Sequence, residues 1–275
     1  MKCDAALNFM FVNGKLCSAP DKSLFDRIGG DSIYEVIKLL EGVPLFFKDH
    51  MDRLQRSLKL QGIKIDLSHR RVRNEINCLA EKTGCCNINV KLVWYPAVEK
   101  PMFLTYFIQQ DIPAGEAYRQ GVHTILFGGE RKNPHVKAII TSYRERVAAA
   151  REATGAYEAL LVDDSGCITE GTRSNIFYLI DNHLCTPPSG NVLLGVTRQH
   201  VMELCRDLGI TVRQRKLLRN ELDRLEGVFI TGTSIDVLPV GSIERVRLAS
   251  ASHPVIETIA KAFNRHVADY VAKNT

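Results

Sequence analysis

Two ionisable residues stand at positions where the surrounding sequence is apolar. Lys137 lies within the run 136–140, which otherwise consists of Val, Ala and Ile and predicts a strand. A lysine there must snorkel to water, lose its charge or react, and its neutral amine is a nucleophile toward carbonyl groups. Glu170 follows the predicted strand 167–169 at the end of a hairpin. The alternative structural explanation is a snorkelling side chain for Lys137 and a half-exposed strand end for Glu170.

Three other segments are suited to binding a phosphate group. Residues 195–198, Gly-Val-Thr-Arg, lie where a loop enters a predicted helix, so amides and the Thr197 hydroxyl stand at the positive end of its dipole. Residues 231–234, Thr-Gly-Thr-Ser, end an apolar strand in a turn that offers hydroxyls and amides. His50 and Arg53 share one face of a predicted helix. Each segment also has a purely structural interpretation. Residues 195–198 would be a Thr N-cap, residues 231–234 a common strand-ending turn, and His50 and Arg53 a surface pair.

Hydrophobic periodicity predicts the elements that must position these residues. Asn13-Gly14 between two apolar runs predicts a hairpin over 7–17. The rest of the first half is predicted as strands 33–40 and 43–47 around a turn at 41–42, a helix from Lys48 to Gly62, a helix over 68–82, and strands 88–95 and 102–109. The second half is predicted as strands 122–127 and 136–140, a helix from a capping box at 142–145 to Gly155, hairpins over 158–169 and 176–186, a helix over 197–208 and a C-terminal helix.

Antiparallel hairpins mixed with runs of helices predict the α+β class rather than a doubly wound parallel sheet. A chain of 275 residues is long enough for two domains. Pro and Gly after a strand predict a linker at 111–118. The expected domains are therefore a small N-terminal domain over 1–110 and a larger one over 119–275.

The composition excludes several classes of protein. Hydrophobic residues make up 45% and charged residues 24%, and the net charge of +5 is not gathered into a nucleic-acid-binding block. No apolar run reaches the roughly 18 residues that span a bilayer. Eight cysteines without a CxxC spacing, behind a start that shows no signal peptide, predict reduced thiols in the cytoplasm and no metal site.

In their order along the chain, the candidate residues resemble the class IV aminotransferases, the family of fold-type IV pyridoxal-phosphate enzymes. The resemblance covers nearly the whole chain and is carried by Arg53, Lys137, Glu170-Gly171, Ser174-Asn175, Gly195-Val196-Thr197-Arg198 and Thr231-Gly232-Thr233. Residues 155–163, 168–171 and 174–177 are also similar to the family in residue types and spacing.

The resemblance implies a small N-terminal α/β domain, a larger C-terminal domain with a barrel-like antiparallel sheet, and pyridoxal 5'-phosphate as cofactor. Lys137 would form the Schiff base and shuttle the substrate proton, and Glu170 would hydrogen-bond the pyridine nitrogen. Tyr143 would contact the phenolic oxygen, with a core-facing tyrosine as the alternative. The residues implied to hold the phosphate are Arg53, Val196, Thr197, Thr233 and Ser234.

The resemblance further implies a homodimer, with the active site near its interface, that transfers an amino group between an amino acid and a 2-oxo acid by a ping-pong mechanism. The sequence departs from the better-known members, because the loop 25–32 is short and lacks a tyrosine. The strand 91–95 is also not followed by an Arg and a His. Arg173 and the partner subunit's Arg27 are therefore expected to bind the α-carboxylate, beside Tyr34, as in a non-standard group of D-amino acid transaminases.

D-amino acids such as D-alanine or D-glutamate are the favoured substrates on this pattern. A branched-chain L-amino acid aminotransferase is the alternative, and an aminodeoxychorismate lyase is a weaker one. Two surface arginines would be the structural explanation for Arg27 and Arg173. A non-catalytic relative is disfavoured, because Lys137 and Glu170 are both present.

Overall fold

The computed structural model describes residues 5–18, 24–25, 28, 32–96, 100–129, 134–138 and 144–275, apart from the side chain at 144. The chain divides into two compact units. The first consists of Met1–Asp111, Val136–Thr141 and Val267–Thr275, and the second of Ile112–His135 and Ser142–His266. The units differ from the continuous domains predicted from the sequence, because two later segments belong to the first unit.

Local contacts explain this assignment of the two later segments. The amide of Tyr34 donates a hydrogen bond to the carbonyl of Lys137 over 3.0 Å. The hydroxyl of Tyr270 accepts one from the amide of Phe47 over 3.3 Å, and its ring packs edge-on against Phe46 at 5.0 Å. Both segments are thus attached to residues of the N-terminal half.

The first unit contains a six-stranded sheet and two helices. Its elements are β1 (Ala5–Val12), β2 (Lys15–Ser18), β3 (Ile33–Leu40), β4 (Val43–Pro44), α1 (Phe47–Leu60), α2 (His69–Thr83), β5 (Ile88–Tyr95) and β6 (Met102–Ile108). The strand order is β2-β1-β6-β5-β3-β4, and the pairings described for this sheet are antiparallel. The predicted hairpin at Asn13-Gly14 is present as β1 and β2.

Strand β3 places alternate side chains on opposite faces of this sheet, as a period of two requires. Ile33, Ile37 and Leu39 are buried in one hydrophobic cluster with residues of α1 and α2. Glu35 has the same parity and is fully buried. The sequence therefore puts one carboxylate on the face of the sheet that carries this core.

The predicted partner strand 43–47 is too long. Strand β4 contains only Val43 and Pro44, because Phe46 adopts a left-handed backbone conformation with φ 49° and α1 begins at Phe47. The predicted strand 136–140 is also wrong for its described residues. Ala138 forms a single antiparallel bridge with Ile33, and no described residue of 136–138 continues it into a strand.

The second unit contains the larger sheet and the remaining helices. Its elements are α3 (Gly115–Gln120), β7 (Val122–Gly128), α4 (Arg144–Thr154), β8 (Glu158–Val162), β9 (Cys167–Gly171), β10 (Asn175–Ile180), β11 (His183–Thr186), α5 (Val196–Asp207), β12 (Val212–Gln214), β13 (Leu217–Leu218), β14 (Leu225–Gly232), β15 (Asp236–Ile243), β16 (Val246–Arg247) and α6 (Pro254–Asn274). The last part of α6, from Val267, belongs to the first unit.

This ten-stranded sheet is a curled half-barrel with the order β12-β11-β10-β14-β15-β7-β8-β9-β13, and β16 pairs with β15. Most of its pairings are antiparallel, but β7 pairs in parallel with both β8 and β15, and β11 pairs in parallel with β12. The predicted two-domain fold class, with a barrel-like sheet in the larger part, is confirmed.

Within the described part of the chain, no helix combines the length and apolar character needed to cross a membrane. The same residues contain no group of three or more His, Cys, Asp or Glu side chains that could hold a metal ion.

A close backbone approach at Gly121 gives the first testable prediction. Gly121 has φ 79°, and a Cβ atom there would lie 2.5 Å from the amide nitrogen of Gly241. We expect Gly121→Ala to lower the free energy of unfolding by about 2 kcal/mol or more, because the backbone strain and the clash add. Urea denaturation measures the change. Gly190→Ala is the control, since no atom lies within 4 Å of its Cβ position; equal midpoints for the two variants would contradict the prediction.

Candidate active site

Lys137 is fixed against β3 and α1 of the first unit. Its carbonyl accepts a hydrogen bond from the amide of Tyr34, and its amide donates one to the Ser57 hydroxyl over 3.4 Å. Its side chain is 14% exposed. A mostly buried lysine amine on a fixed backbone is chemically capable of forming a Schiff base.

The carboxylate of Glu35 lies beside this amine. Its Oε1 lies 3.6 Å from Nζ of Lys137. Nε of Arg53 donates to Oε2 over 2.8 Å, and Nη2 of Arg53 donates to Oε1. Nδ1 of His50 donates to Oε1 over 3.1 Å. One fully buried carboxylate therefore faces three basic side chains.

The alternative interpretation of His50 and Arg53 as a surface pair is wrong. His50 is 2% exposed and Arg53 5% exposed. Both lie on the face of α1 that carries its buried residues, and Glu35 compensates the charge there. Sequence reasoning assigned no role to Glu35, although its inward position in β3 was the signal that a buried carboxylate needs a partner.

The charges of this cluster set the protonation of its members. Burial alone would raise the pKa of Glu35, but the charges of Arg53 and Lys137 and the hydrogen bond from His50 hold that pKa well below its usual range. Burial lowers the pKa of His50, although the Glu35 carboxylate opposes the shift. Glu35 is consequently ionised and His50 neutral at neutral pH.

Tyr34 lies beside two amines. Nζ of Lys137 is 5.4 Å from the centroid of its ring, and Nζ of the buried Lys91 is 5.7 Å from the same centroid. These distances are within the range of cation–π interactions. Tyr34 is half-buried and stands next to the candidate lysine, where it was expected to bind substrate.

Glu170 is a buried residue within β9 of the second unit, rather than beyond the strand end. Its Oε2 accepts hydrogen bonds from the amide of Leu193 over 3.0 Å and from Nδ2 of Asn175 over 3.2 Å. The same Nδ2 donates to the carbonyl of Leu193 over 2.9 Å. This small network fixes the orientation of the carboxylate.

Helix α5 of the second unit begins with its amides uncapped by any side chain. Gly195 is the N-cap residue, and the first turn contains no acidic residue. A Cβ on Gly195 would overlap Oδ1 of Asn175, so this position admits only glycine. Val196 and Thr197, the next two residues, are buried. The start of α5 is thus suited to an anion.

Two further residues predicted to bind phosphate, Thr233 and Ser234, occupy the turn between β14 and β15 of the second unit. Both are half-buried, and the turn is closed by a hydrogen bond from the amide of Ile235 to the carbonyl of Gly232 over 3.2 Å. Just before the turn, the buried hydroxyl of Thr231 has no hydrogen-bond partner among the described residues.

The loop that follows Glu170 is organised by Glu158, another buried carboxylate that sequence reasoning assigned no role. Glu158 accepts hydrogen bonds from the Thr172 hydroxyl, from the Arg173 amide over 3.2 Å and from the Ser174 hydroxyl over 3.0 Å. The Arg173 side chain is exposed, with its guanidinium carbon 5.9 Å from the ring centroid of Tyr157. Arg27 and Tyr143 lie outside the described residues.

The residues 32–243 match the model of the amino-transferase class IV family. The chain is 31% identical over 260 residues to a putative branched-chain-amino-acid aminotransferase of Methanocaldococcus jannaschii, with 86% of this chain and 88% of the relative covered. It is 27% identical over 257 residues to the D-alanine aminotransferase of Bacillus licheniformis, with 89% and 90% covered.

Among solved structures, the chain is similar to the branched-chain aminotransferase of the archaeon Thermoproteus uzoniensis with norvaline. The TM-score is 0.82 at 22% identity, with 97% of this chain and 96% of that chain covered. The match over residues 32–243 defines the class of protein as an aminotransferase. The chain belongs to the class IV aminotransferase family. It is a pyridoxal-phosphate-dependent aminotransferase, as the sequence predicts.

The chemistry of the described groups fits this cofactor. A mostly buried lysine in the first unit suits the aldehyde, and the uncapped start of α5 suits the phosphate. The oriented Glu170 carboxylate suits a protonated ring nitrogen.

The contacts of Glu158 give the second prediction. Glu158→Gln places an amide group where four donors converge, the fourth being the Ala159 amide, so we expect the free energy of unfolding to fall by about 1–3 kcal/mol. Thermal and urea denaturation measure this change. Glu226→Gln is the control, because Glu226 accepts one exposed hydrogen bond from the Asn182 amide. A Glu158 variant as stable as this control would show that the loop does not depend on the carboxylate.

Proposed function

We propose that the enzyme is a D-amino acid transaminase that moves an amino group between a D-amino acid, such as D-alanine or D-glutamate, and a 2-oxo acid by a ping-pong mechanism. The observation that carries this choice is the position of Arg173, three residues after Glu170 with its amide bound to the buried Glu158. The likeness to a D-alanine aminotransferase supports the same choice.

Lys137 would hold pyridoxal phosphate covalently and move the proton at the substrate α carbon. A nearly buried amine beside a carboxylate is suited to both tasks, because it changes protonation without leaving its place. When bound, the cofactor supplies an electron sink for the electrons of the broken C–H bond. Glu170 would keep its ring nitrogen protonated through a charge-assisted hydrogen bond.

The phosphate would be held by charge and by backbone amides. Arg53 is oriented by Glu35, which accepts from Nε and Nη2. The start of α5 would contribute the amides of Val196 and Thr197 and the Thr197 hydroxyl. Thr233 and Ser234 would add hydroxyls from their turn, and Tyr143 would contact the phenolic oxygen.

The substrate carboxylate would bind to Arg173 and to the partner subunit's Arg27, beside Tyr34. An arginine is suited to this task because its guanidinium binds a carboxylate through two parallel hydrogen bonds. This arrangement requires a homodimer, which we propose as the active form. The seven described cysteines are free thiols, which supports a reducing compartment, the cytoplasm.

A branched-chain L-amino acid aminotransferase is the second candidate. The relative from Methanocaldococcus jannaschii, putatively such an enzyme, is more identical to this chain than the D-alanine aminotransferase is. A pyridoxal-phosphate lyase acting on aminodeoxychorismate is a third and weaker candidate, and it would release pyruvate without a 2-oxo acid acceptor.

The assigned role of Lys137 leads to a direct prediction. Lys137→Ala should reduce turnover by about a thousandfold or more, because no amine remains to move the proton. It should also abolish the absorbance of the covalent bond between cofactor and protein, because no amine remains to form that bond. Lys261→Ala is the control, since this lysine is exposed and pairs only with Glu257 among the described contacts. Wild-type turnover in the Lys137 variant would refute the assignment.

The substrate assignment is tested by the first half-reaction alone. The holoenzyme is mixed separately with D-alanine, D-glutamate, L-leucine and L-glutamate, and the cofactor absorbance is followed. We expect the D-amino acids to bleach it, and we expect Arg173→Ala to raise the concentration for half-maximal rate about tenfold or more, because a charged hydrogen-bond partner is lost. Arg206→Ala, at an exposed position on α5, is the control. Bleaching by L-leucine alone would favour the branched-chain candidate.

A further inference from the structure

The proposed function assigns the Glu35 carboxylate of the first unit only the orientation of Arg53. Glu35 is fully buried, and its Oε1 is 3.6 Å from Nζ of Lys137. A carboxylate is costly to bury, and the phosphate-binding role of Arg53 does not require one.

We propose that Glu35 is a positioning residue that acts through Lys137 by stabilising its protonated amine during the transfer of the substrate proton. This inference rests on the proposed role of Lys137 as the proton-transferring residue. On this inference, Glu35 makes the Lys137 amine more basic, in addition to orienting Arg53.

The carboxylate is held in place and kept ionised by four donors other than Lys137. Arg53 donates from Nε and Nη2, His50 donates from Nδ1, and the amide of Val36 donates over 3.0 Å. The lysine is held separately, by its own backbone contacts with Tyr34 and Ser57. The distance between the two charges is therefore set by the fold of the first unit.

The other groups around Lys137 show why a counter-charge is needed. Arg53 is a second cation on α1, and Lys91 of β5 is an amine beside the same Tyr34 ring. His50 is neutral and adds no charge at neutral pH. Without Glu35, a protonated Lys137 would stand among cations and would be disfavoured. With Glu35, the attraction between the two groups favours the charged amine.

The proton balance of the step is simple. The lone pair of the neutral Lys137 amine would take the α proton of the substrate, and the electron pair of the C–H bond would remain on the substrate, where the bound cofactor would delocalise it. The ammonium would later return this proton to the reacting group, which restores the neutral amine. Glu35 stays ionised throughout and exchanges no proton, so no further reactant is required.

The test measures the protonation of Lys137 without using turnover. The holoenzyme is converted to its amino form with excess amino acid, which frees Lys137, and is then labelled with trace acetic anhydride across a range of pH. Peptide mass spectrometry gives the pH at which labelling of Lys137 is half-maximal. We expect Glu35→Gln to lower this pH by about one unit or more, because the neighbouring negative charge is removed.

Glu75→Gln is the matched control for this variant. Glu75 is another buried glutamate of the first unit, and it accepts a hydrogen bond from the Thr105 hydroxyl over 2.6 Å and pairs with Arg71 at 3.3 Å. Its variant should leave the labelling pH of Lys137 unchanged. Glu35→Asp retracts the carboxylate by one methylene and should lower the labelling pH of Lys137 by a smaller amount. This variant replaces Glu35→Gln if Glu35→Gln does not fold.

An unchanged labelling pH of Lys137 in a folded Glu35 variant would overturn this inference. An equal decrease in the Glu75 variant would do so as well, because it would show a general effect of altering the unit. Failure of the proposed function is distinguishable, since Lys137→Ala would then retain turnover. If Lys137→Ala is inactive and the labelling pH does not move in the Glu35 variants, only the role of Glu35 fails.

Discussion

The interaction on which the first unit depends is the burial of the Glu35 carboxylate among Arg53, His50 and Lys137. It joins three parts of the chain that are distant in sequence: strand β3, helix α1 and the segment around residue 137. Removing one partner of such a buried pair typically costs about 3–5 kcal/mol, because the remaining charge is left uncompensated. Under the proposed function, the same charges also hold the Lys137 amine that takes part in the amino-group chemistry.

In the second unit, two other buried carboxylates take part in the networks that position the proposed site residues. Glu170 is oriented by Leu193 and Asn175, and Glu158 binds the loop that carries Arg173. Glycine is required where these networks approach the backbone closely. A Cβ on Gly171 would overlap the Ser174 hydroxyl, as one on Gly195 would clash with Asn175. The proposed site residues thus depend on groups that never need to touch the substrate.

Much of this arrangement could be predicted from the sequence, and the remainder has physical reasons. An apolar run predicted β3 and a helical pattern predicted α1, because such patterns reflect burial. The Asn13-Gly14 turn between two apolar runs predicted the hairpin. Burial of His50 and Arg53 was missed, since it depends on Glu35, a partner outside the helix. The segment around Lys137 looked like a strand because it is apolar, but its described residues make only one bridge to β3. The cofactor was predicted from the family resemblance and not from periodicity.

We propose that Lys137 is the residue that carries the cofactor. The most direct measurement is borohydride reduction of the holoenzyme, which makes the bond between amine and cofactor permanent, followed by peptide mapping. We expect the reduced cofactor on the peptide that contains Lys137. Lys91 is the informative comparison, because it too is a buried lysine beside Tyr34. Finding the cofactor on Lys91, or on any other lysine, would contradict the proposed role of Lys137.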